Sequence, residues 1–216
     1  RTSTGATALM LAAASGDAQA VDVLLARAET DVNATERAHG QTALMFAAAA
    51  GRADVVRTLL ARGATPGITT KVIDLEALTA APGEEALNQQ QQRPPTGASG
   101  PAAAAAARPA DVPGLTRPYR YNEVIGKQGG LTALLLAARQ GAVDTTLALL
   151  EGGADINQAS PADGLTPVLI ATINGHFDLA TELIARGADV RAYSDNGVTP
   201  LYAALNVQWA PKAFYP

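Results

Sequence analysis

Gly164–Asp189, GLTPVLIATINGHFDLATELIARGAD, constrains the fold more than any other stretch, because it reads as two short helices joined by a tight turn. Thr166 suits an N-cap, and Pro167 suits the first helical position, where a missing N–H costs nothing. Val168, Ile170, Ala171 and Ile173 supply apolar bulk up to Gly175, a residue that can take the left-handed conformation ending a helix. His176-Phe177-Asp178 restarts the chain, Leu179, Leu183 and Ile184 recur at helical spacing, and Gly187 stops the second helix. Two helices this short cannot bury their apolar faces alone, so the unit needs neighbours.

The chain supplies them. GATALMLAAASGD begins at Gly5, GQTALMFAAAAGR at Gly40, GLTALLLAARQGA at Gly130 and GVTPLYAALNVQW at Gly197. The first three carry a second glycine at the expected helix–helix turn: Gly16, Gly51 and Gly141. A double-leucine second helix follows each of these, at Leu24-Leu25, Leu59-Leu60 and Leu149-Leu150. The unit length is about 33 residues, a period of stacked helix–turn–helix arrays. With the Thr199-Pro200-Leu201 signature, the Gly175-His176 turn and Leu183–Asp189 (LIARGAD), the chain resembles the ankyrin repeat family over 1–67 and 129–209. That resemblance implies an all-α solenoid with β-hairpin-like loops.

Composition agrees with small-residue stacking: 48% of residues are hydrophobic but only 4% aromatic, so the core must come from Ala, Leu and Val. Net charge is −4 and no Lys/Arg block occurs, which argues against nucleic acid as a partner. The absence of cysteine excludes disulfides, thiol catalysis and cysteine-based zinc sites. No apolar run approaches the roughly 20 residues of a membrane-spanning helix. Opening at Arg1 and closing at Pro216 inside a repeat suggest a processed or fragmentary chain. The alanine- and arginine-rich composition has a bacterial look, and localisation stays open between cytoplasm, periplasm and secretion.

The irregularities divide the chain into 1–67 (repeats one and two), 68–128 (an insertion), 129–196 (repeats three and four) and 197–216 (an incomplete or interrupted repeat five). In repeat one, Ala8 replaces the signature proline, and Ala28-Glu29-Thr30 makes the end of the second helix one residue longer. The insertion opens with a short helix over Val72–Leu78. It continues as a flexible low-complexity linker through Gln89–Gln92, Arg93-Pro94-Pro95 and Ala102–Ala107. Leu115–Gly126, richer in Tyr, Leu, Val and Ile, is expected to pack on something. Repeat five places Val207-Gln208-Trp209 where its turn should lie and Pro211 where its second helix should begin. Either a second insertion starts there, or Trp209, Phe214 and Tyr215 cap the last apolar face.

Nothing points to catalysis. His176 belongs to the family's Gly-His turn, and His39, beside Glu36 and Arg37, reads as part of a solvated hairpin tip. Asp155, Asp163, Asp189 and Asp195 recur in hairpins and read as Asx-type turn formers in preference to calcium ligands. No HExxH, GxSxG, Walker or GxGxxG pattern occurs in a fitting context. The expectation is no enzyme, no cofactor and no metal.

The resemblance implies a binding module whose groove is lined by hairpin tips and by two residues before each first-helix turn. Those pairs are Ala14-Ser15, Ala49-Ala50, Arg139-Gln140, Ile173-Asn174 and Asn206-Val207; the residues after each opening glycine are Ala6, Gln41, Leu131, Leu165 and Val198. The N-terminal half is bland, so the expected partner contacts are Arg139, Gln140, Leu131, Leu165, Ile173, Asn174, Tyr193 and Val198, with Arg139 and Tyr193 as anchors. An apolar row there needs a cover. One cover is an external protein; the other, preferred here, is the chain's own 115–126 segment, strapped across through Tyr119, Tyr121, Val124 and Ile125. The leading function is a non-catalytic protein-binding scaffold. The alternatives are a structural or assembly subunit, and the regulatory arm of an enzyme whose catalytic part lies outside this chain.

Overall fold

The computed structural model describes Thr2, residues 5–75, Ala77 and residues 126–209. The expected strap residues Tyr119, Tyr121, Val124 and Ile125 lie outside these, as do the linker and the aromatic residues Phe214 and Tyr215 of the expected cap. Two compact units are distinguished: Arg1–Val72 with Gly129–Pro216, and Ile73–Gln128.

The first unit is a solenoid. Its helices pair as α1 (Ala8–Ser15) with α2 (Ala18–Leu25), α3 (Ala43–Ala49) with α4 (Ala53–Ala61), α5 (Ala133–Gln140) with α6 (Val143–Glu151), and α7 (Pro167–Ile173) with α8 (Phe177–Ala185); α9 (Pro200–Trp209) follows. First helices pack in series, α1 on α3, α3 on α5, α5 on α7 and α7 on α9. The stack therefore runs directly from repeat two to repeat three, and α4 also packs on α6.

Sequence register explains this packing. Four, five and eight residues after the opening glycine, every first helix before α9 buries its side chain: Leu9, Met10 and Ala13; Leu44, Met45 and Ala48; Leu134, Leu135 and Ala138; Val168, Leu169 and Thr172. These positions sit on one stripe at helical period. The same positions in α9 are Leu201, Tyr202 and Leu205, exposed by 70%, 59% and 53%. In earlier repeats that stripe lies under the repeat's own second helix and the next repeat. No described element follows α9 to do the same.

Several local expectations need correction. Val72–Asp74 is a strand (β1), paired with Lys127–Gly129 (β2), and of the described residues of the expected helix Leu75 and Ala77 have helical geometry. The β-branched pair Val72-Ile73 favours extended backbone, and the Leu75 amide donates to the Gly126 carbonyl at 2.8 Å, prolonging the pairing. Helix α9 runs through Val207–Trp209 instead of turning there. Gln208 stands where the other repeats have their turn glycine, so no left-handed residue is available to end the helix. Thr166 occupies the N-cap position of α7 with extended backbone, but its hydroxyl makes no capping bond and is buried without a partner. Its counterparts Thr7, Thr42 and Thr132 do cap, accepting from the amides of Met10, Met45 and Leu135.

The irregular end of repeat one has its own solution. In the regular repeats the chain leaves the second helix through a positive-φ glycine, and the amides of Ala64, Ala154 and Ala188 donate to the carbonyls of Leu59, Leu149 and Leu183. Repeat one lacks that glycine. There the Thr30 hydroxyl donates to the equivalent carbonyl of Leu24 at 2.6 Å. Thr30→Val is accordingly expected to lower stability by about 1 kcal/mol, with Thr30→Ser close to wild type. Urea unfolding followed by circular dichroism checks this; loss in Thr30→Ser with none in Thr30→Val would show that the methyl, not the hydroxyl, matters.

Candidate protein-binding surface

The hairpins between repeats share a construction that begins with one polar residue. Glu36, Thr70, Ser160 and Ser194 recur at this place, and all four are buried. Their amides donate to the carbonyls of Gln41, Leu131, Leu165 and Val198 at 2.9–3.0 Å, closing each stem. Their side chains satisfy amides inside the loop: Ser160 Oγ accepts from Ala162, Ser194 Oγ from Val198, and Thr70 Oγ1 from Leu131 at 2.9 Å. Thr70 and Leu131 thus form an ordinary hairpin stem although 61 residues separate them, and the insertion occupies the tip of the second hairpin.

Adjacent hairpins are hydrogen-bonded to one another. The Lys71 amide donates to the His39 carbonyl (2.8 Å) and its Nζ to the Arg37 carbonyl. Ser160 Oγ donates to the Gly129 carbonyl (3.1 Å), and the Asp195 amide to the Asp163 carbonyl (3.0 Å). One layer below, Asn33 bridges to repeat two through the Gly63 carbonyl and the Thr65 amide, and Asn157 accepts from the Asp189 amide. Gly67 stands where a third asparagine would be, and Gln158 Nε2 reaches back to its carbonyl at 3.2 Å. The hairpin edge is a continuous, pre-ordered rim.

The titratable groups on this rim serve the backbone. His39 is exposed at the hairpin tip as expected, whereas its neighbour Glu36 is buried and accepts from the amides of Ala38, His39 and Gln41. Burial pushes its carboxyl up, but the amides of Gln41, His39 and Ala38 and the nearby His39 charge together outweigh it and hold the pKa below 4.5. Asp155, Asp163 and Asp189 each accept from the amide two residues on, which is the Asx turn. Asp195 contributes through its backbone instead. His176 is structural in the manner expected of the Gly-His turn. Its Nε2 lies 3.1 Å from the Arg139 carbonyl, and its ring lies over Gly141, where a Cβ would come within 2.5 Å of Nδ1. Among the described residues no three His, Cys, Asp or Glu side chains gather as metal ligands.

Stacking brings the pre-turn pairs of successive first helices onto one face. Arg139, Gln140, Ile173 and Asn174 are exposed at the ends of α5 and α7, with Asn206 and Val207 exposed in α9. Leu131, Leu165 and Val198 are only half-exposed, and Leu131 and Leu165 spend part of their surface on the core. Tyr193, 69% exposed, stands in the loop leading to α9. The N-terminal part of the face carries Ala14, Ser15, Ala49 and Ala50. The recurring buried polar residue of the hairpins escaped sequence reading; its signal is a Ser, Thr or Glu three or four residues before each opening glycine after the first, hidden in repeat three by the insertion.

No described helix is long and apolar enough to cross a membrane. A search of curated proteins finds no match to the chain. A family model described as ankyrin repeats (3 copies) matches residues 1–70 and 134–209, the same two stretches in which the helix pairs and hairpins stack. The chain belongs to the ankyrin repeat family.

Proposed function

We propose that this chain is a non-catalytic scaffold that holds a protein partner against the concave face and the hairpin rim. Ankyrin repeats generally mediate protein–protein interaction, and the family is typically non-catalytic. The observation that carries the reading for this chain is the exposed Arg139, Gln140, Ile173 and Asn174, aligned by stacked helices and backed by a hydrogen-bonded rim. Such a surface is rigid before binding, which lowers the ordering cost that association imposes. Leu131, Leu165, Val198 and Tyr193 extend it towards the hairpins.

Affinity copurification from the source cell, compared across variants, tests this. Ile173→Asp is expected to remove the partner, while Ile184→Asp, on exposed apolar surface of the second helix α8, is expected to retain it. Loss in both, or in neither, would sink the assignment to this face. A second reading, a permanently assembled structural subunit, is favoured by the exposed Leu201, Tyr202 and Leu205 of α9, since obligate interfaces are the more apolar kind. A stoichiometric, salt-resistant complex lost on Leu201→Glu would support that reading.

A further inference from the structure

We propose that the C-terminal half of the concave face selects an extended protein segment carrying a carboxylate side chain three residues away from a branched apolar one. The inference rests on the concave-face reading above and names the chemistry of its partner. Of the five pre-turn pairs, only one residue is charged: Arg139. Its guanidinium makes no hydrogen bond or ion pair with any described residue, whereas Arg57, Arg62 and Arg186 are each paired with a carboxylate. A partner covering this face removes water from the guanidinium, and a desolvated cation left without an anion is costly. The partner must therefore bring the anion, and bidentate geometry favours a carboxylate.

The register of the stack supplies the spacing. Ala49 and Ile173 occupy the same place as Arg139 in the repeats before and after it. Ala49 is too short to crowd the guanidinium on one side; Ile173, 42% exposed, offers apolar surface on the other. Packed helices lie about 8–10 Å apart. A polyproline-II segment advances about 3.1 Å per residue with three residues per turn, so side chains three apart point the same way about 9 Å from each other. A fully extended strand meets the spacing with side chains on opposite faces, and fits less well. A segment running across the repeats can set its carboxylate on Arg139 and its apolar side chain on Ile173.

The test is selection of a random peptide library displayed on phage against the intact chain, followed by titration of labelled synthetic copies of the enriched peptides. Enriched peptides are expected to carry Asp or Glu three positions from Leu, Ile or Val. Arg139→Glu is expected to weaken them about tenfold or more, and a Lys replacing the peptide's acid is expected to restore binding to that variant. Unchanged thermal melting of Arg139→Glu secures the comparison. Peptides weakened by Ile173→Asp but indifferent to Arg139→Glu, or rich in Lys and Arg, would overturn the carboxylate inference and leave the concave-face reading standing. Enriched peptides indifferent to both substitutions, or no enrichment at all, would count against both.

Discussion

Gly129→Ala is expected to destabilise the solenoid by about 3 kcal/mol or more, an effect large for one added methyl group. A Cβ built on Gly129 falls 2.0 Å from the Lys71 carbonyl oxygen and 3.1 Å from its carbon. Both obstacles are backbone, so no side-chain rotation relieves them. Gly129 also sits at φ +103, where any side chain is strained. The backbone cannot retreat cheaply. Lys71 is held by the His39 carbonyl, Gly129 by the Ser160 hydroxyl, and Thr70 by Leu131. Relief of the clash means opening this neck and leaving those groups unpaired. Gly187→Ala separates the two costs, because Gly187 has nearly the same φ, +97, but nothing within 4 Å of its would-be Cβ. That variant should lose only conformational strain, about 1–2 kcal/mol. Urea unfolding of both by circular dichroism decides; a Gly129→Ala variant no weaker than Gly187→Ala would mean that the neck yields, and that the hairpin stem is not what joins repeats two and three.

How much of this was legible in the residues depends on repetition and on range. The turn glycines and the leucine and alanine stripes recur in several copies at a constant register, so noise in one copy is corrected by the others. That is why the helix pairs, and the exposure of Arg139, Gln140, Ile173 and Asn174 at the first-helix ends, are legible in the residues. Features set by distant partners could not. VIDLEAL over Val72–Leu78 has a helical spacing of apolar residues, and only pairing with Lys127–Gly129 makes its first residues a strand. Leu131 and Leu165 look like groove residues because they follow the opening glycine, yet each lends part of its surface to core clusters that no local pattern reveals. Thr166 has the right residue type and backbone for a cap without making the bond, a detail below the resolution of residue patterns. Tyr119, Tyr121, Val124 and Ile125 remain an expectation from sequence.

Glu36 gave no signal of its own for a related reason: nothing local in a carboxylate beside Arg37 and His39 tells of its three amide donors. Its replacement is the second large expected effect. Glu36→Ala should cost about 3 kcal/mol, since the amides of Ala38, His39 and Gln41 lose a charged, buried acceptor together. Glu36→Gln keeps one acceptor oxygen but brings an amide donor among donors, and should cost about 2 kcal/mol. The pH dependence follows from the sign of the pKa shift. The folded carboxyl lies below 4.5, the ordinary value that the unfolded chain approaches. Between those values the unfolded state binds the proton more readily, so acid favours unfolding. The stabilisation due to ionised Glu36 is therefore complete well above pH 4.5 and is lost as pH falls through the lower folded value. Wild type and Glu36→Gln should accordingly differ by a constant amount from about pH 6 to 8 and converge in acid. Urea midpoints measured across that range and down to about pH 3 read the difference directly. A gap that stays constant below pH 4.5 would show that the neutral acid serves the hairpin as well as the carboxylate does, and a gap that widens would mean the shift has the opposite sign.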